Sequence, residues 1–201
     1  MTDHTPAPTD PGPLSKIPAT PLGAVLADLP EVLAEVAAGA EEQPPAARLR
    51  TLLAEGQTVP ALLLLAHALP PREAIWWACL NARAVLGETP EPKQGRALAA
   101  AEAWVYQPDE AGRRACQSSA DAAGNAGLGA ICALAVFFSG DTLSEPDLPK
   151  VAPPPGMVGT FVTAALHLAA VQRTPERAPE RLARAVRQGI DIANGGNGRV
   201  G

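Results

Sequence analysis

Apolar residues recur every three or four positions over most of this chain, the spacing of one face of an α-helix. The first series follows Thr20-Pro21, a hydroxyl cap before a proline at the first helical position, and comprises Leu22, Val25, Leu26, Leu29, Leu33 and Val36. Farther along, Leu62–Leu65 lie among alanines, which predicts a helix buried on every side. No pair of strands around a tight turn is indicated.

Proline and glycine divide these series into separate helices, for example at Pro44-Pro45, Gly56, Pro70-Pro71 and Gly87. The pattern predicts an all-α fold, a single irregular multi-helix bundle of about seven to nine helices. We expect the bundle to cover residues 20–193, with a Pro-rich strap of polyproline character at 140–156. Residues 1–19 and 194–201 have few apolar side chains and are predicted to be disordered tails.

The composition changes this picture in two ways. Only three Trp, one Tyr and three Phe are present, so small aliphatic side chains must fill the core, which favours closely packed helices. The net charge of −5 disfavours nucleic acid as a partner. The apolar run from Ala126 to Phe138 is too short for a membrane span, so no membrane insertion is expected. Residues Met1–Asp10 lack a secretory signal, which indicates a cytoplasmic and bacterial protein.

Residues able to carry chemistry are isolated from one another. Each histidine lacks a second ligand at helical spacing, and Cys79, Cys116 and Cys132 lie far apart in sequence among small or apolar residues. Glycines 124, 127 and 129 lack the lysine of a phosphate-binding loop, which favours close helix packing. We therefore predict no catalytic residue, no metal ligand and no cofactor.

The most distinctive segment is the predicted helix at residues 71–86, where two tryptophans are adjacent. Trp76 and Trp77 cannot both point in one core direction, so either both are wedged between helices or one belongs to a contact surface. The candidate partner contact comprises Arg72, Glu73, Trp76, Trp77, Asn81, Arg83 and Trp104.

Four segments together resemble an uncharacterised family of short helical bacterial proteins associated with type VI secretion gene neighbourhoods. They are Arg72-Glu73-Ala74-Ile75-Trp76-Trp77-Ala78-Cys79, Ala101-Glu102-Ala103-Trp104-Val105, Pro153-Pro154-Pro155-Gly156 and Pro175-Glu176-Arg177-Ala178-Pro179. The resemblance implies an accessory role in a secretion apparatus and assigns no site residues.

Two functions are compatible with these features. The leading hypothesis is a non-enzymatic protein-interaction module, an adaptor or chaperone-like accessory with an unidentified protein partner. The alternative is a small-molecule-binding protein or enzyme with an interhelical pocket near Glu73, Trp77, Asn81 and Glu102, where a buried carboxylate acts as a base.

Overall fold

The structure is a computed structural model that describes residues 10–26, 31–145 and 147–200. Ten α-helices and no strand occur in these ranges, so the all-α prediction is confirmed, with one helix more than expected. The α-helices are α1 (Leu22–Leu26), α2 (Glu31–Ala37), α3 (Pro45–Ala54), α4 (Thr58–Ala68), α5 (Pro71–Leu86), α6 (Pro92–Tyr106), α7 (Glu110–Ala122), α8 (Leu128–Phe137), α9 (Met157–Val171) and α10 (Ala178–Ala193), and a 3₁₀ turn at Pro175–Arg177 precedes α10.

The chain forms two compact units, whereas the sequence was interpreted as one bundle. One unit comprises Met1–Pro70 with Ala170–Gly201, and the other comprises Pro71–Ala169. We call them the terminal unit and the central unit. Pro70-Pro71 at the junction resembles the other proline boundaries of the chain, so local sequence does not distinguish a unit boundary from a helix boundary.

The terminal unit is organised around α4, which packs against α10, α3, α2 and α1. The apolar run of α4 is largely buried, at Ala61, Leu62, Leu64, Leu65, Ala66 and Ala68, whereas Leu63 is partly exposed, so the prediction of burial on every side holds only in part. Burial lowers the pKa of His67 to about 4, so this side chain is neutral near pH 7.

The predicted tails follow a defined path where the structure describes them. Leu14 is only 1% exposed, and its N–H donates to Oδ1 of Asn194 at 2.8 Å. Nδ2 of Asn194 donates to the carbonyl of Pro11 at 2.7 Å, and the Lys16 N–H donates to the carbonyl of Ala193 at 2.9 Å. Residues 1–9 and 201 of the predicted tails lie outside the described residues. One buried leucine and the hydrogen bonds of one asparagine side chain produce no periodic pattern, so the sequence does not reveal this docking.

The central unit is organised around α6 and the apolar helix α8, which also contact α5 and α7. A Cβ atom at Gly129 would lie 2.1 Å from the carbonyl oxygen of Gln94, so glycine allows the backbones of α6 and α8 to approach closely. Oε1 of Gln94 accepts the Gly129 N–H at 2.9 Å, and its Nε2 donates to the Ala126 carbonyl at 2.7 Å. Gly129 therefore serves helix packing, as the sequence favoured, whereas Gly124 has open space around it and adopts a positive φ after α7.

The strap at residues 140–156 is tied to α7 by two neighbouring arginines. Arg113, 3% exposed, donates to the carbonyls of Phe137 and Thr142. Arg114 donates to the carbonyls of Leu143 and Ser144, and both arginines pair with Glu110. These ion pairs lower the pKa of Glu110 to about 2. The strap is thus an irregular connection held by side-chain hydrogen bonds to its main chain.

In the described ranges, no helix is both long enough and apolar enough to cross a membrane.

Candidate functional site

The two adjacent tryptophans have different environments in α5. Trp77 is fully buried, whereas Trp76 is partly exposed. The ring of Trp76 meets the ring of Tyr106 edge to face, with centroids 5.8 Å apart and planes inclined by 64°. Tyr106 ends α6 and is 69% exposed. One tryptophan therefore belongs to the core, and the other supports an exposed aromatic side chain.

Arg72 lies one turn before Trp76 and is exposed at the same end of α5. Its Nε donates to the carbonyl of Val105 at 2.6 Å, which satisfies one of the last carbonyls of α6 next to Tyr106. The hydrogen bond places a positive charge beside the aromatic pair. We call Arg72, Trp76 and Tyr106 the aromatic patch.

Tyr106 is the member of this patch that the sequence analysis missed. It is the only tyrosine of the chain and follows Trp104-Val105 directly before the loop at Gln107-Pro108. That position, at the end of a predicted helix, was the available signal. Tyr106 lies next to Trp76 because α5 packs against α6. The spacing of residues along the chain does not reveal that packing.

Trp104, another predicted contact residue, is engaged within the central unit. Its indole N–H donates to the carbonyl of Asp109 at 3.1 Å, across the turn that joins α6 to α7. The side chain of Asp109 in turn caps α7 by accepting the Gly112 N–H at 2.6 Å. Trp104 therefore fixes this turn and stands apart from the Trp76–Tyr106 ring contact.

Arg83 and Glu102 form an ion pair between α5 and α6. Nε and Nη2 of Arg83 donate to the two carboxylate oxygens of Glu102 at 3.0 and 2.6 Å. The hydrogen bonds with Glu102 raise the pKa of Arg83, as expected for a cation stabilised by a carboxylate. A bidentate pair of this kind fixes the position of Glu102 against Arg83.

The remaining residues of the predicted pocket are arranged along α5. Nδ2 of Asn81 donates to the carbonyl of Trp77 in its own helix at 3.0 Å, and Glu73 is partly exposed. Trp77 lies inward, and among the described residues its Nε1 has no hydrogen-bond partner. A buried tryptophan N–H usually has an acceptor, and Trp77 departs from that rule.

The cysteines lie on three neighbouring helices of the central unit. Cys79, Cys116 and Cys132 are all buried and unbridged. A hydrogen bond with the Cys132 thiol, together with burial, raises the pKa of Cys79, and burial raises the pKa of Cys116 to about 12. Such thiols stay protonated and are poor nucleophiles and metal ligands. No metal-binding cluster of His, Cys, Asp and Glu occurs in the ranges that the structure describes.

Residues 48–193 match DUF6931, a family of unknown function. The chain belongs to this family. The match covers both Trp76 and Tyr106 and carries no link to type VI secretion. No curated protein and no solved structure matches the chain. For this DUF6931 member, the exposed side chains of the chain itself are therefore the source of information about function.

Proposed function

We propose that this protein is a non-enzymatic protein-interaction module, an adaptor or chaperone-like accessory, that binds a protein partner through the aromatic patch. The observation that carries the proposal is the exposure of Tyr106, at 69%, against the ring of Trp76. Trp, Tyr and Arg, the three residue types of the aromatic patch, are enriched in binding hot spots.

Three of the other candidate residues support this choice because polar groups of their side chains already have partners within the central unit. Trp104 bonds across the α6–α7 turn, Asn81 bonds to its own helix, and Arg83 holds Glu102. A partner would have to break these contacts to use them. The ring of Tyr106, at 69% exposure, is accessible to a partner as it stands.

The enzymatic alternative has weaker support. Glu102 would have to break its ion pair with Arg83 before it could act as a base. Among the described residues, no carboxylate of the predicted pocket accepts a hydrogen bond from Nε1 of Trp77. We keep the alternative as a proposal of lower rank.

The finer parts of the proposal are a bacterial source, a cytoplasmic location and a partner within a secretion apparatus. They are supported only by the sequence patterns and by the resemblance described above. Identification of the partner decides all of them together.

Photo-crosslinking in the organism that encodes the chain tests the proposal. A benzophenone amino acid is placed at position 106, and in a matched control at position 59, where Val59 is 40% exposed in the terminal unit. We expect a discrete protein adduct from position 106 that Trp76→Ala weakens. Identical adducts from both positions, or none from position 106, would contradict the proposal.

A further inference from the structure

Besides Tyr106, two large apolar side chains of the central unit are well exposed, and both belong to the strap. Leu148 is 60% exposed and Val151 is 57% exposed. These side chains add nothing to the core of their own unit at that exposure. Their position next to prolines suggests that the strap presents a ligand rather than covering the fold.

Hydrogen bonds hold the main chain of the strap in place before Leu148 and at Val151. The Leu143 N–H donates to the carbonyl of Val151 at 2.8 Å, and the Val151 N–H donates to Oγ1 of Thr142 at 3.1 Å. Arg114 binds the carbonyls of Leu143 and Ser144 from α7. Because the main chain at residues 142–144 and at Val151 is already held by hydrogen bonds, docking of nearby exposed side chains loses less conformational entropy than docking of a flexible tail.

The chemistry of the strap complements that of the aromatic patch. Proline-rich extended segments, such as Pro153-Pro154-Pro155 and the stretch around Pro149, dock on surfaces formed by tryptophan and tyrosine rings. The strap exposes the carboxylate of Asp147 and the cation of Lys150, and its exposed Glu145 pairs with Arg114 at 3.9 Å. The patch exposes the cation of Arg72, so Asp147 is the strap group opposite in charge to the patch. Opposite charges beside an apolar contact favour one orientation and speed the encounter.

We propose that the strap of one copy of this chain docks on the aromatic patch of a second copy. The inference deepens the proposed function, because it names a second copy as one partner of the same patch. Two different surfaces meet in this contact, so it is heterologous and produces rings or open chains of copies instead of a closed two-fold dimer.

Sedimentation equilibrium of the full chain over a range of concentrations tests the proposal. We expect reversible association beyond the monomer, and a dissociation constant at least about tenfold weaker in Tyr106→Ser and in Leu148→Ser. The matched control Val59→Ser, an exposed apolar residue of the terminal unit, is expected to associate like the unaltered chain.

Mixing the two variants gives the sharpest result. Tyr106→Ser retains an intact strap and Leu148→Ser retains an intact patch. The strap of the first variant can therefore dock on the patch of the second, but no further copy can be added. At a concentration where each variant alone is monomeric, we expect their mixture to form a one-to-one heterodimer. If a variant fails to fold, a peptide of strap residues 147–156 added to the unaltered chain should change tryptophan emission, and should not do so in Trp76→Ala.

A monomer at every concentration, or a mixture that remains monomeric, would overturn the inference. Crosslinking of a different protein from position 106 would still uphold the proposed function in that case. Association that persists in Tyr106→Ser would also overturn the inference, because it would place the contact elsewhere on the chain.

Discussion

Replacement of each adjacent tryptophan by alanine should have clearly different effects on stability. Trp77 is fully buried in α5, and loss of a buried tryptophan removes its transfer free energy and leaves a cavity, at a total cost of about 3–5 kcal/mol. Trp76 is partly exposed and borders Tyr106, so water and the tyrosine ring can occupy part of the vacated space. We expect Trp76→Ala to cost about 1–2 kcal/mol.

Urea unfolding followed by tryptophan emission is the appropriate assay. All three tryptophans lie within Pro71–Ala169, so emission reports on the central unit, while far-ultraviolet circular dichroism reports on both units. Trp77→Phe is the matched control. It retains most of the ring volume and removes an N–H that has no partner among the described residues, so it should cost less than Trp77→Ala.

Equal losses for Trp76→Ala and Trp77→Ala would refute this reasoning. So would a larger loss for Trp76→Ala. In either case the side chain at position 76 would be part of the core, and the aromatic patch would lose one of its members.

Three further predictions concern the two units. Leu14→Ala should lower the free energy of unfolding by about 2–4 kcal/mol, and an unchanged thermal midpoint would show that residues 10–19 do not dock. His67 is neutral in the fold and protonates more readily when unfolded; its contribution is complete above pH 6.5 and is lost as pH falls from 6.5 to about 4. A pH series should therefore show a loss of about 2 kcal/mol that His67→Gln abolishes; a variant with the same pH dependence would contradict this assignment. Gly129→Ala should cost about 1–3 kcal/mol in urea unfolding because its Cβ meets the Gln94 carbonyl, and unaltered stability would exclude that close approach.

The helices themselves were largely predictable from sequence. The spacing and the flanking Pro and Gly residues placed one helix at 71–86, as the structure has it. These signals are local, since a cap or a proline acts on its own turn. They do not determine which helices pack together, and the division into two units was therefore not predicted.

The candidate site was predictable only in part. The sequence left open whether both tryptophans lie between helices or one belongs to a contact surface; in the structure Trp77 is buried and Trp76 is partly exposed. The partners of Arg83 and Trp104, and the approach of Tyr106 to Trp76, depend on contacts between helices. The same holds for Cys79 and Cys132, which are separated in sequence and meet between α5 and α8.

The central claim is that the aromatic patch binds a protein partner while Trp77 serves the core. Its most direct test is the dissociation constant of the crosslinked partner for the unaltered chain, Tyr106→Ala and the control Val59→Ala, each checked for unchanged unfolding free energy. We predict a loss of about 2 kcal/mol, or roughly 30-fold, for Tyr106→Ala and no change for Val59→Ala. Equal affinities for all three proteins would contradict the claim.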